Sequence, residues 1–368
     1  MARQSQVCWL VFVVLIFLNL SISCINAQQV PCYFIFGDSF AANGNDNDLD
    51  TFKANYLPYG IDFPDGSTGR FSNGKTMVDI IAEKIGFKDY IPPFKKVGNG
   101  SEILKGANYA SAGAIVQADI AGSEVTAISL SQQVRNHQKV VRRINNLLGN
   151  KNKTRKYLQK CLYSVGIGSN DYLLDYYTPQ NNGSEPLRKS PSEAYAESLV
   201  DAHLFNRLNA LYKAGARKIV LFGLPPLGCS PAAVRMYDTH QHCISVIDTD
   251  AHIFNSRLQI LVDRLNKNYK NAQFTYINIY DITSARVFPG FKKNDVPCCD
   301  TDYNGMCYPK ATRCKAPKEY FFWDGYRPTE AANIILGSLA LNASVPSQAY
   351  PYNIQQLIAK TAKDTKNH

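Results

Sequence analysis

After VCWLVFVVLIFLNL near its start, the sequence has no second apolar run approaching the roughly 20 residues that a membrane crossing needs, which excludes a transmembrane anchor in the body of the chain. It has no low-complexity linker and no internal repeat, so the length is read as one large domain over residues 28–368. It has no G-x-S-x-G, which excludes the nucleophile elbow of an ordinary α/β-hydrolase. Acidic residues are in short supply, 30 Asp and Glu against 40 Lys and Arg, for a formal charge of +10. That imbalance favours acidic surroundings, which outside a cell means polyanionic glycans or anionic surfaces rather than nucleic acid.

The start of the chain has the three-part layout of a secretory signal: Arg3, then the apolar run, then small residues near Ala27. Residues 1–27 are therefore set aside as a signal peptide. Cys8 and Cys24 leave with it, and an even set of cysteines remains in an oxidising compartment, where disulfides are expected. Cys298, Cys299, Cys307 and Cys314 crowd a stretch without helical or strand period, where cross-links could replace a core. Connectivity stays open. Asn99, Asn152, Asn182 and Asn342 each begin an N-x-S/T sequon in polar sequence, consistent with N-glycosylation.

Organisation follows from apolar runs that end at Gly, alternating with amphipathic stretches. Cys32–Phe36, Cys161–Ile167, Lys218–Phe222, Phe274–Ile279 and Tyr320–Phe322 read as strands. Met77–Ile85, Gln132–Leu148, Ser192–Lys213, Thr249–Tyr269 and Pro328–Leu341 read as helices, the last with Pro in its first turn. Strands alternating with long helices predict a central parallel sheet covered on both faces, a flavodoxin-like three-layer α/β/α sandwich. Lys139, Arg142 and Arg143 fall on the solvated face of the second helix.

Sites in such sheets collect where loops leave the carboxyl ends of strands. FGDSF, Phe36 to Phe40, sets Ser39 directly after a strand and a Gly-Asp turn, where it could project its hydroxyl or simply cap a following helix. KGANYASAG, Lys105 to Gly113, and GIGSND, Gly166 to Asp171, offer backbone N–H groups and an asparagine amide, suited to a developing oxyanion and equally to ordinary turns. WDGYRPTEAAN, Trp323 to Asn333, carries Asp324 and, three residues on, Arg327.

Taken in that order, these stretches, with GLPPLGC at 223–229 and PCC at 297–299, resemble the plant GDSL esterase/lipase group of the SGNH hydrolase superfamily from about Phe34 to Leu341. The resemblance implies Ser39 as nucleophile, Gly113 and Asn170 as oxyanion donors, and Asp324 as the acid that orients a catalytic histidine. That histidine would belong at 327, where this sequence has arginine. Imidazole can accept a proton near neutral pH; guanidinium has donors only and stays charged, so Arg327 cannot take the proton from Ser39. The expected arrangement is an Arg327–Asp324 pair in the place of the acid–histidine pair.

No other histidine stands out as a substitute base. His137, His203 and His252 lie in helical patterns and read as packing or surface residues, and His368 is terminal. His240-Gln-His242-Cys243 lacks a second ligand group, and a disulfide from Cys229 to Cys243 is preferred to a metal site. The reading calls for no metal and no cofactor.

The function expected is that of a secreted, extracellular serine ester hydrolase, in the cell wall or apoplast as the resemblance implies, acting on acyl esters of lipids or wall glycans and impaired by Arg327. The alternative is a non-catalytic binder of an ester, a carboxylate or an acidic glycan; an accessory subunit of another enzyme is a third reading. Acidic cell-wall polymers are expected as further partners.

Overall fold

The computed structural model describes residues 27–50, 52–116, 127–178, 187–237, 242–283 and 290–360. Nearly all of the expected signal, together with Asn182, His240 and His368, lies outside them.

A six-stranded sheet runs through the centre. Its strands are β1 (Tyr33–Gly37), β2 (Gly106–Asn108), β3 (Leu162–Gly166), β4 (Lys218–Phe222), β5 (Gln273–Ile277) and β6 (Ala349–Tyr350), in the order β6-β5-β4-β3-β1-β2. The five from β2 to β5 are parallel, and β6 joins β5 antiparallel at the edge, so the sheet is mostly parallel. Alternation along the strands sends side chains to two buried faces. Phe34 and Phe36 enter one core cluster; Tyr33 and Ile35 enter the other.

On the first face lie α2 (Leu130–Leu148), α4 (residues 192–214) and α5 (Ser245–Asn268), with α3 (Lys151–Leu158) beside α2. The second face is covered by α1 (Met77–Lys84), α6 (Glu330–Asn342) and the short helix Ile354–Ala359. The expected three-layer sandwich is the fold observed.

Three details differ from the sequence reading. The helix expected over 192–213 is continuous but contains a π-helical segment, Ser198–Leu204, before Gly215 stops it. Pro328 precedes the last long helix instead of opening it: Thr329 is the N-cap, its hydroxyl accepting from the Ala332 N–H at 3.3 Å. Tyr320–Phe322 pairs in parallel with Lys293–Pro297, outside the main sheet.

Four disulfides join Cys32 to Cys161, Cys229 to Cys243, Cys298 to Cys314 and Cys299 to Cys307. The first ties the starts of β1 and β3. The last two knit the segment that lacks regular structure, where Cys298, Cys299, Cys307 and Met306 are buried with Trp323. Among the described residues no helix is long and apolar enough to cross a membrane.

Candidate active site

Four loops from the carboxyl side of the strands meet at one cavity. The first follows β1. A Cβ on Gly37 would lie 2.4 Å from the Gly166 carbonyl oxygen, so only glycine lets β1 and β3 come together at this end. The chain then turns, with the N–H groups of Ala41 and Ala42 donating to the Asp38 carbonyl at 3.1 and 3.0 Å. No helix starts here, so the capping reading of Ser39 falls away. Asp38 accepts from the Phe40 N–H through its side chain at 3.0 Å. Burial pushes its carboxyl up to about 6, against that hydrogen bond and the charge of Arg327.

The second loop runs from Asn108 to Gly113 and is clamped from below. Asn45 donates to the carbonyls of Asn108 and Ala110, both at 2.9 Å, and the Asp46 carboxylate accepts from the Ala112 N–H at 3.0 Å and from the Ser111 hydroxyl. Gly113 has φ 72°, and a Cβ there would lie 2.9 Å from the Phe52 ring, so this end of the loop is restricted to glycine twice over. The third loop, Gly168-Ser169-Asn170, is tied to the second: the Asn170 amide donates to the Ala114 carbonyl at 2.9 Å. One amide hydrogen is fixed in this way, and among the described residues the other has no partner.

The fourth loop carries Asp324 and Arg327. One Asp324 oxygen accepts the N–H groups of Tyr326 and Arg327 at 2.9 and 2.8 Å, which folds the loop back on its own acid. The other oxygen accepts from the Tyr59 hydroxyl at 2.8 Å and from Arg327 Nη1 at 3.2 Å. Tyr59 is itself fixed by the Cys307 N–H at 3.0 Å, so the disulfide-laced segment supports the acid. Arg327 Nε donates to Ser39 Oγ at 2.9 Å, and Nη1 also reaches Met306 Sδ at 3.1 Å. The guanidinium lies 4.9 Å from the centre of the Phe71 ring, close enough for a cation–π contact.

Burial alone would depress the Arg327 pKa; the charge of Asp324 outweighs it and holds the group above its ordinary value. The side chain is therefore a fixed cation, and what Ser39 Oγ meets at 2.9 Å is a donor. The cavity encloses about 500 Å³. Ser39, Gly113, Asn170 and Arg327 stand on its wall among apolar side chains that include Met77, Phe321 and Leu336. Asp324 is fully buried behind them.

Ser39, Gly113, Asn170 and Arg327 thus gather at this one cavity, with Asp324 behind them. Tyr59, Met306 and Phe71 were not expected; they lie in no motif and reach the site only through the fold. The three histidines of the helical patterns, His137, His203 and His252, are packing or surface residues. His137 is fully buried among aromatic rings, hydrogen-bonded to Tyr109 at 3.0 Å, and burial brings its pKa down to about 3. His203 is half-buried and His252 exposed. His242 reaches the rim of the cavity but makes no hydrogen bond to Ser39.

Cys229, Cys243 and Asp248 are close enough together for a metal ion, but the two cysteines form a disulfide and offer no thiolate. Asn99, Asn152 and Asn342 are exposed, as glycan attachment requires.

Comparison with known proteins fits this geometry. The family model for the GDSL-like Lipase/Acylhydrolase matches residues 33–340. In Arabidopsis thaliana, GDSL esterase/lipase At1g29670 is 44% identical over 95% of this chain and 97% of its own length. GDSL esterase/lipase At5g45670 is 42% identical over 97% of this chain and 99% of its own, and GDSL esterase/lipase At4g18970 is 41% identical over 96% and 99%. A family match across most of the sequence, relatives aligned nearly end to end, and a mostly parallel sheet between two helical layers lead to one statement: the chain belongs to the GDSL lipase/acylhydrolase family of ester hydrolases.

Proposed function

We propose that this is a GDSL-type serine ester hydrolase whose nucleophile, Ser39, has lost its general base, so that acyl esters of lipids or wall components are bound well and cleaved slowly. The observation that carries the reading is the 2.9 Å hydrogen bond from Arg327 Nε to Ser39 Oγ. A base at that position would accept the serine proton as the oxygen attacks the ester carbonyl; the guanidinium can only stabilise negative charge on the oxygen once the proton has gone elsewhere. Gly113 and Asn170 supply donors for the tetrahedral oxyanion, and Asp324 holds Arg327 where it would otherwise have oriented an imidazole.

By analogy with other serine hydrolases, loss of one triad member costs about 10⁴ to 10⁶ in rate, and oxyanion donors with binding retain about 10³ to 10⁴ over water. Slow, Ser39-dependent turnover follows. Delivery by the signal at 1–27 to an extracellular site, with glycans on Asn99, Asn152, Asn182 and Asn342, belongs to the same proposal; four disulfides and the lack of a membrane-crossing helix among the described residues support it.

One observation favours a second reading, a pure binder of carboxylates or esters. Arg327 Nη2 has no partner among the described residues, and the side chain borders the cavity, so a carboxylate could pair there without disturbing Asp324. Labelling with a fluorophosphonate separates the two. Slow modification of Ser39, accelerated in Arg327→His, is expected of the hydrolase; no modification of the natural protein alongside rapid modification of Arg327→His leaves only the binder.

A further inference from the structure

At the opposite end of the sheet, where β3 and β4 begin, a second hollow of about 750 Å³ opens between α2, α3 and the turn that ends α4. Arg142, Lys151, Arg155, Lys213 and Arg217 line it, with no Asp or Glu among the lining residues. None of these five cations has a carboxylate partner among the described residues. Four of them are exposed and could be read as a solvated basic face.

Arg217 does not fit that reading. It is only 7% exposed, pinned by two donations from Nη1 to the carbonyls of Tyr212 and Ala216 at 2.8 and 2.6 Å, and stacked 4.1 Å over the Tyr212 ring. Its Nε is buried and has no hydrogen-bond partner. Burial holds its pKa below the ordinary arginine range, and the nearby charge of Arg155 acts in the same direction. A pinned, buried guanidinium that has no carboxylate partner among the described residues, with the charge of Arg155 nearby, is costly unless negative charge comes to it from outside the chain.

The hollow is far larger than a single small anion needs, and Asn145 and Asn146 add amide groups able to bind hydroxyls. We propose that it is a binding site for an acidic oligosaccharide, with carboxylates on Arg142, Arg155 and Arg217 and sugar hydroxyls on the two asparagines. Such a site would hold the protein on an acidic glycan with the candidate active site at the other end of the sheet left open, and it does not depend on whether Ser39 turns over.

The test is calorimetric titration of the full chain with a trimer of galacturonic acid. Saturable one-to-one binding is expected, with no heat from the uncharged galactose trimer. Removing two exposed charges in Arg142→Gln/Arg155→Gln should weaken binding by about tenfold or more. Removing the same charge elsewhere, in Lys315→Gln/Lys318→Gln, should change it less than about twofold. Arg217→Gln should also weaken binding, and the exposed pair decides the matter if that variant does not fold. The proposal is overturned if the trimer does not saturate, if both double variants lose affinity equally, or if tripolyphosphate binds as tightly as the trimer, which would leave an unspecific basic surface.

Discussion

Two buried arginine–aspartate pairs among the described residues are used differently. Arg70 and Asp79 form a two-pronged pair, Nε and Nη2 each 2.8 Å from a carboxylate oxygen, while Nη1 donates to the Thr68 hydroxyl at 2.8 Å. Asp79 also closes a capping box at the start of α1, accepting from the Thr76 N–H and hydroxyl. Every arm of this arginine fork is engaged, and the guanidinium rests 4.1 Å over Phe63. Arg327 offers Asp324 one nitrogen at 3.2 Å, gives another to Ser39, and keeps Nη2 without a partner among the described residues. A saturated pair fixes structure. An unsaturated one beside a cavity retains the capacity to meet a ligand, while denying the serine a base.

The contrast can be broken most sharply at position 327. Arg327→His should raise kcat/KM for a short p-nitrophenyl ester by about 10³ or more, because an imidazole there regains the acceptor that guanidinium lacks. Arg70→His should bring no gain. A rise of less than about tenfold would mean that Arg327 is not what limits Ser39.

A second comparison concerns stability. Asp79→Ala strands a buried guanidinium and should cost about 3–5 kcal/mol in denaturant unfolding. Asp324→Ala leaves Arg327 with Ser39, Met306 and the cavity, and should cost less, about 1–3 kcal/mol. Equal costs would erase the distinction between the two pairs.

The smallest effect is on pH. Folding raises the Asp38 and Asp46 carboxyls from an unfolded value near 3.8 to about 6. Their contribution to stability is therefore full below the unfolded value and is lost as pH rises through about 6. Burial alone would raise Asp79 too, but the Arg70 charge and hydrogen bonds hold it below its ordinary value; its contribution is present above the unfolded pKa and lost only as pH falls through the lower folded one. Acidification from about pH 7 to about pH 5 should thus stabilise the protein by roughly 1 kcal/mol per raised carboxyl, read as a rise in Tm of a few degrees. Asp38→Asn and Asp46→Asn should each flatten that dependence.

How much of this was legible in the sequence depends on how local the signal is. The strands that end in glycine, β1 and β3, were readable because an apolar run and its stop lie within a few residues, and the loops that follow them carry Ser39 and Asn170. Asp324 and Arg327 were readable as a pair because three residues of loop can fold back on an acid. The edge strands β2 and β6 were not: three and two residues carry no period. Tyr320–Phe322 has the composition of a core strand, but its partner, Lys293–Pro297, is an exposed segment outside the main sheet.

Met306 meets Arg327 because two disulfides fold the 298–314 segment over the site, with a connectivity that the sequence leaves open, and Tyr59, from far earlier in the chain, meets Asp324 only through the fold. Arg142 read as solvated because Arg217, which completes the basic hollow, arrives from beyond α4.

The central claim, that no side chain takes the proton from Ser39, is tested most directly by the pH dependence of Ser39 modification by a fluorophosphonate in the natural protein. With hydroxide as the only base, the rate should climb about tenfold per pH unit toward about pH 10, with no inflection near neutrality. A rate that levels off with an inflection between about pH 6 and 8 would contradict the account, and loss of that inflection in His242→Ala would identify the histidine at the cavity rim as the base.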